Sequence, residues 1–310
     1  MIVSKKEKRN RGGFTLLELL VVVAILAAVA GTASIALKDT DARASAAAHV
    51  TMMDELNKGI RTYRVLQRNE LPSRFDSLVE TGTTGDATSG TGLSVAGFSI
   101  AADGSGDAYL MAIPSGVQTI MADGGIESLQ YVDTTVTPAD SDLDCSDLSA
   151  LINSRGNAVV AGNIFMSPDA NGCGFNQELD GTAVMGVWWQ GGSERLTGHA
   201  DIDDDGNDLV EFDGTNIAAA TGNAYLLTGI GPSCTLFDAN TLGGMTTVPV
   251  YRHVKPDEYN RFVAVWNVGT FDGAGAIEPG DQCELVAIVD GALDTKEEEL
   301  GEWDGTRNTI

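Results

Sequence analysis

Gly12-Gly13-Phe14-Thr15-Leu16-Leu17-Glu18-Leu19-Leu20 joins a short basic leader to a long apolar run that carries a single acid. Lys5, Lys6, Lys8, Arg9 and Arg11 precede it, and no charge falls between Leu19 and Leu37. A charge-free run of that length meets the requirement for crossing a bilayer. Its basic flank directs the leader to the cytoplasm and the remainder of the chain outward. A secretory signal peptide carries its small-residue cleavage site after the apolar run. Here the small pair Gly12-Gly13 comes before it.

That arrangement, Gly12-Gly13 followed by Phe-Thr-Leu-Leu-Glu, resembles the processing site of type IV prepilins and of the pseudopilins of type II secretion. In that family a membrane peptidase cuts after the glycine and methylates the new amino terminus. The resemblance implies cleavage between Gly13 and Phe14, with Glu18 becoming the fifth residue of the mature chain. The physics of Glu18 points the same way. A carboxylate at the bilayer centre costs on the order of 2.5 kcal/mol or more, so an acid in such a segment needs a partner. The new ammonium of Phe14 is one candidate, about one turn away on its own helix and within reach from an axially offset neighbour. The resemblance favours the neighbour. The competing reading is an uncleaved signal anchor whose Glu18 snorkels to the interface.

Charge divides the chain sharply. The formal net charge is −25, yet residues 69–310 hold 38 acids against 8 bases. An outer domain of that sign repels phosphate backbones, so nucleic acid is not an expected partner. It favours solubility and divalent cations, although most of these carboxylates need be no more than a solvated surface. Cys145, Cys173, Cys234 and Cys283 all lie in the exported part. An even count in an oxidising compartment suggests two disulfides, and of the three connectivities the sequential one, Cys145 with Cys173 and Cys234 with Cys283, is preferred. Free buried thiols are the alternative.

The apolar helix continues past the membrane. Val50, Met53, Leu56, Ile60, Tyr63 and Leu66 recur at spacings of three and four, the pattern of one buried helical face. Lys58, Arg61, Arg64 and Arg68 form a basic stripe near its carboxyl end, where they suit the helix dipole. Pro72 marks the stop. Pilins of the family usually carry a proline at the position held here by Ile35. Tyr63, Arg64, Leu66, Pro72, Leu78 and Val79 resemble the helix end of major pseudopilins, where a Tyr-Arg-Leu run precedes Tyr-Pro and a short helix. Leu71 replaces the tyrosine, and these two resemblances cover about the first quarter of the chain.

Beyond the helix, residues 81–107 read as loops and hairpins, with Leu93 to Ile100 as one strand. Short apolar runs bounded by turn residues predict further strands at 108–113, 158–166, 183–189, 224–230, 261–268 and 284–289. The expected fold is α+β, a long amino-terminal helix packed against a carboxy-terminal antiparallel sheet. Its parts are a cleaved leader (1–13), a transmembrane and filament-core helix (14–37), the amphipathic half of that helix (38–70), an acidic β-rich domain (71–294) and a mobile acidic tail (295–310).

The candidate metal loop is Asp201-Ile-Asp203-Asp204-Asp205-Gly206-Asn207-Asp208. Alternating acids that turn at a glycine match the first six positions of an EF-hand calcium loop. Phe212 at the twelfth position departs from it. Asp201, Asp203, Asp205 and Asn207 would donate oxygens to calcium, and an acidic Asp-Gly turn without metal is the alternative. Trp188-Trp189 predicts one buried and one exposed ring on alternate faces of a strand. His49, His199 and His253 are scattered, and local signatures of hydrolases, zinc peptidases or phosphate-binding loops are absent. No enzyme is expected.

The resemblance implies a filament subunit made at the inner membrane. Its partners would be copies of itself, related pilins, the prepilin peptidase and an inner-membrane assembly platform. The system implied is a type II secretion pseudopilus or a type IV pilus-like filament. An adhesive or ligand-binding pilin with an enlarged outer domain, and a membrane-anchored exported enzyme, are the alternatives.

Overall fold

The computed structural model describes residues 16–81, 85–93, 95, 100–101, 108–135, 173–189, 221–251, 259–296 and 299. Helix α1, Leu16–Leu66, accounts for 51 of them and reaches roughly 75 Å at 1.5 Å per residue. Its second half presents most of the predicted stripe: Val50, Met53, Leu56, Ile60 and Tyr63 are buried, together with Ala46, whereas Leu66 is 44% exposed. Arg68 and Asn69 then adopt left-handed φ angles of 58° and 80°. That conformation cannot continue a right-handed helix, so α1 stops ahead of Pro72.

The described strands are β1 (Phe75–Thr81), β2 (Thr91–Gly92), β3 (Ile100–Ala101), β4 (Ala108–Ile113), β5 (Ser128–Asp133), β6 (Gly174–Glu178), β7 (Val184–Trp189), β8 (Thr221–Gly229), β9 (Val263–Asp272) and β10 (Ile277–Val289). Helix α2, Ser115–Asp123, separates β4 from β5. These strands form one ten-stranded sheet in which β3-β4-β7-β8-β1-β5-β6 is the main path. Strand β8 is the branch point. Leu226 and Leu227 pair with β7 on one side and with β9 on the other, while Gly229 pairs with Asp76 of β1. Strand β10 extends the β9 side as an antiparallel hairpin partner.

The sheet is mixed, which corrects the antiparallel expectation. Strands β1 and β5 run parallel, as do β3 and β4. Parallel neighbours need a crossover rather than a tight turn. The chain between β1 and β5, which includes α2, provides it. Strand β1 also corrects the expectation of a short helix at Leu78 and Val79, since both lie inside the sheet and are buried. Leu78 has a φ of 61°, and the register with β5 slips between Asp76 and Glu80. A bulge of this kind breaks the alternation by which a strand is read.

One hydrophobic cluster joins Leu56, Ile60 and Tyr63 of α1 to Phe75, Tyr109, Trp188, Trp266 and Phe262. Trp188 and Trp189 are 0% and 2% exposed, so both rings are interior, contrary to expectation. Strand β7 lies between β4 and β8 within the sheet, and its polar tip is accommodated: the Trp188 indole donates to the Met111 carbonyl at 3.1 Å. Gly229 has a steric reason to be glycine. A Cβ there would fall 2.0 Å from the Tyr259 hydroxyl, which instead donates to Asp76 Oδ2 at 2.8 Å.

The cysteines divide in two. Cys173 is disulfide-bonded, while Cys234 and Cys283 are free and buried. The expected Cys234 to Cys283 bridge is therefore corrected. The two thiols sit in different surroundings, Cys234 within the field of Asp76 and Cys283 within that of Arg64. Burial raises both thiols, Cys283 to about 12, which leaves them protonated and unreactive. Cys145 lies outside the described residues.

Candidate functional site

Two features of the described chain bear on its function. The first is the amino-terminal part of α1. Leu16, Leu19, Ile25, Leu26 and Val29 are 82%, 61%, 57%, 61% and 58% exposed, and every described side chain from Leu16 to Thr32 is open to solvent. Each large apolar side chain left in water forgoes about 1.5–3 kcal/mol. This run therefore demands a second apolar environment. Glu18 stands in the first turn, where a negative charge complements the helix dipole.

Among the described residues no helix is long and apolar enough to cross a membrane. The side chains of residues 33–39 lie outside the description.

The carboxyl half of the same helix is clamped. The Gln67 side chain donates to the Leu242 carbonyl at 2.8 Å and the Tyr63 hydroxyl to Thr235 Oγ1 at 3.3 Å. Of the basic stripe, Lys58, Arg61 and Arg68 face solvent and Arg64 is partly covered.

The second feature is a carboxylate cluster just past β10. Asp290 Oδ1 accepts the backbone N–H groups of Ala292 at 2.8 Å and Asp294 at 2.9 Å, which folds the chain back on itself. Lys296 then donates to both carboxylate oxygens of Asp54 on α1, at 2.6 and 2.7 Å. The Glu299 N–H bonds to the Thr295 carbonyl at 3.0 Å, and this helical turn carries Glu299 inward to 1% exposure. Carboxylate oxygens of Asp290, Asp294 and Glu299 lie within 4.8 Å of one another. Asp290 is fully buried and Asp294 half-buried.

Aromatic groups close the cluster. The Tyr251 hydroxyl donates to Glu299 Oε1 at 3.4 Å, and the His49 ring lies 4.5 Å from that of Tyr251. His49 Nδ1 is 3.8 Å from Glu299 Oε2. Burial first, then the adjoining carboxyl of Glu299 and the charge of Asp294, push the Asp290 carboxyl up to about 9.

Gly13, Phe14, Asp201, Asp203, Asp205 and Asn207 lie outside the described residues, as do His199 and His253. The expected mobile tail from residue 295 is corrected at its start, because Thr295 and Glu299 are buried and Lys296 is ion-paired. Sequence reading missed Asp290, Asp294 and Glu299. The available signal was the Asp-Gly-x-x-Asp spacing directly after an apolar strand, read as the edge of a tail.

Residues 8–34 match the prokaryotic N-terminal methylation motif. The match covers the end of the basic leader, the glycine pair and the exposed apolar part of α1, and it supports a type IV prepilin- or pseudopilin-like chain. No curated protein and no solved structure matches the chain.

Proposed function

We propose that this prepilin-like chain is a filament subunit, cut between Gly13 and Phe14 by a prepilin peptidase and assembled through the amino-terminal half of α1. The observation that carries the reading is the continuity of the methylation motif with a helix whose first half is apolar and uncovered while its second half is sealed. Before assembly, lipid around residues 19–37 is the apolar environment, with the acidic domain on the outer face of the inner membrane. In the filament, neighbouring helices replace the lipid. Glu18 paired with the Phe14 ammonium of a neighbour sets the register, since a buried charge left unpaired is penalised by several kcal/mol.

The motif implies the peptidase and other pilins as partners; the assembly platform and the choice of a type II secretion pseudopilus or type IV pilus-like filament are part of the proposal. The role proposed is structural rather than catalytic. Two readings compete with it, an adhesive subunit that uses the large outer domain and an exported enzyme that uses the helix as an anchor.

The test is the amino-terminal mass of the mature protein from cells with and without the peptidase. Processing gives a chain that begins at methylated Phe14. Full-length chain persisting in peptidase-positive cells overturns the proposal. Glu18→Ala separates the subunit from the anchored enzyme: a subunit loses crosslinks between sister helices and loses its function, whereas an anchored enzyme keeps its function.

A further inference from the structure

The carboxyl end of α1 carries a surface that the folded domain leaves uncovered. Outside the amino-terminal half of α1, the exposed large apolar side chains among the described residues are Val65, Leu66 and Leu242, at 80%, 44% and 67%. Leu66 and Leu242 adjoin: the Gln67 side chain holds the Leu242 carbonyl, and a Cβ on Gly243 would fall 3.0 Å from Leu66 Cδ1. Lys58, Arg61 and Val65 follow one another on a single helix face, along an open groove of about 580 Å³. Lys58, Arg61, Arg64 and Arg68 flank the apolar patch, and among the described residues their side chains form no hydrogen bond or ion pair. Arg64 Nε is shielded from water and still meets no acceptor. Four cations stay unmatched although residues 69–310 hold 38 acids. An apolar centre with a polar border is the anatomy of a protein interface, and cations on that border select an acidic partner.

The complementary surface stands just beyond the helix. Glu70, Asp123 and Glu127 are exposed there. Backbone contacts gather them into one corner: the Leu71 N–H donates to the Gly124 carbonyl at 2.7 Å, and the Glu127 N–H to Ser73 Oγ at 3.0 Å. We propose that the basic, apolar end of α1 docks on this acidic corner in a second copy of the chain.

The docking rests on the filament reading, and its register follows from that reading. When the Phe14 ammonium of one copy meets Glu18 of another, the first copy stands four residues, about 6 Å, farther out along the axis. Its Val65 and Arg68 then come near the height of residues 69–72 of the lower copy, where Glu70, Asp123 and Glu127 lie. The offset that pairs the amino-terminal charges therefore also brings the unmatched cations to unmatched acids. Apolar helices hold the filament core, and this contact fixes the outer domains against one another.

Crosslinking between copies is the test. Two full-length versions of the chain, one with Val65→Cys and one with Glu70→Cys, are expressed together, and cell envelopes are treated with a short bismaleimide. Both positions are exposed, so the substitutions spare the fold, and Cys234 and Cys283 are buried away from the reagent. A dimer of the two versions is expected. Arg61→Glu with Arg68→Glu lowers its yield about tenfold, and adding Asp123→Lys with Glu127→Lys to the same chain restores it. Leu19→Cys, in the amino-terminal half of α1, reports filament assembly separately. Crosslinks at Leu19 without the dimer of Val65→Cys and Glu70→Cys overturn the docking and leave the filament reading standing. A dimer whose yield ignores both charge reversals overturns the docking as well, and absence of crosslinks at Leu19 defeats both readings.

Discussion

The two halves of α1 are one unbroken helix in two different settings. From Leu16 to Thr32 its side chains are exposed on every face, whereas Met53, Leu56 and Ile60 are 2%, 0% and 1% exposed. Both halves satisfy their backbone hydrogen bonds internally, so the difference lies entirely in what the side chains meet. The second half has a sheet to cover one stripe, and its other face is charged. The first half has neither a stripe nor a cover, as expected of a segment adapted to an all-round apolar environment. Helicity alone says nothing about function; the mismatch between apolar surface and covering partner does.

Leu56→Ala and Leu20→Ala test that contrast most strongly. The first empties a fully buried site and should cost about 2–5 kcal/mol of outer-domain stability. The second should change that stability by less than about 0.5 kcal/mol. Urea unfolding in detergent, read from the buried tryptophans, measures both. A large loss in Leu20→Ala would mean that the first half is held by the domain after all.

Acidity sharpens the comparison next, because the clamped half rests on a domain with buried carboxyls. Asp76 is raised to about 7 by burial, against the pull of the Tyr259 hydroxyl and the Arg261 charge. Its folded value lies above its unfolded one, so its stabilisation is full below about pH 4 and is lost as pH rises through about 7. The loss amounts to about 4 kcal/mol at alkaline pH. Asp76→Asn should remove this share of the slope between about pH 4 and 7, leaving the share of Asp290, whose shift has the same sign. An unchanged slope in the variant would show that Asp76 is ionised throughout.

The smallest effect concerns the outer surface of the clamp. Lys296 and Asp54 are 45% and 59% exposed, so Lys296→Ala should cost at most about 1 kcal/mol in the same unfolding assay, and less in 0.5 M salt. A loss as large as that of Leu56→Ala would place the carboxy-terminal segment among the main supports of α1.

Local pattern made much of this legible. The periodic apolar positions of α1 and the short runs that became β4, β7, β8, β9 and β10 are the segments where one physical demand, burial of apolar side chains, dominates. Strand β5 was missed because Ser128, Gln130 and Asp133 interrupt it, yet all three are buried. Their partners come from elsewhere: the Gln130 side chain donates to Asn176 Oδ1 at 2.9 Å, and the Ser128 N–H to Ser73 Oγ at 3.1 Å. Strand β1 was missed for its bulge at Leu78. One ring of the Trp188-Trp189 pair was assigned to solvent on the rule that one strand face is wet, and here both are buried. The methylation motif at residues 8–34 was legible because it is contiguous.

The sequence alone determined a methylation motif leading into an acid-bearing apolar helix that keeps one buried stripe farther along. Those features depend on neighbours within a few turns. Only the tertiary structure decided that the sheet is mixed, that Cys234 and Cys283 stay apart as thiols, and that Asp290, Asp294 and Glu299 converge against His49. A buried polar group is tolerable only beside its partner, and here the partner of Glu299 stands 250 residues earlier in the chain.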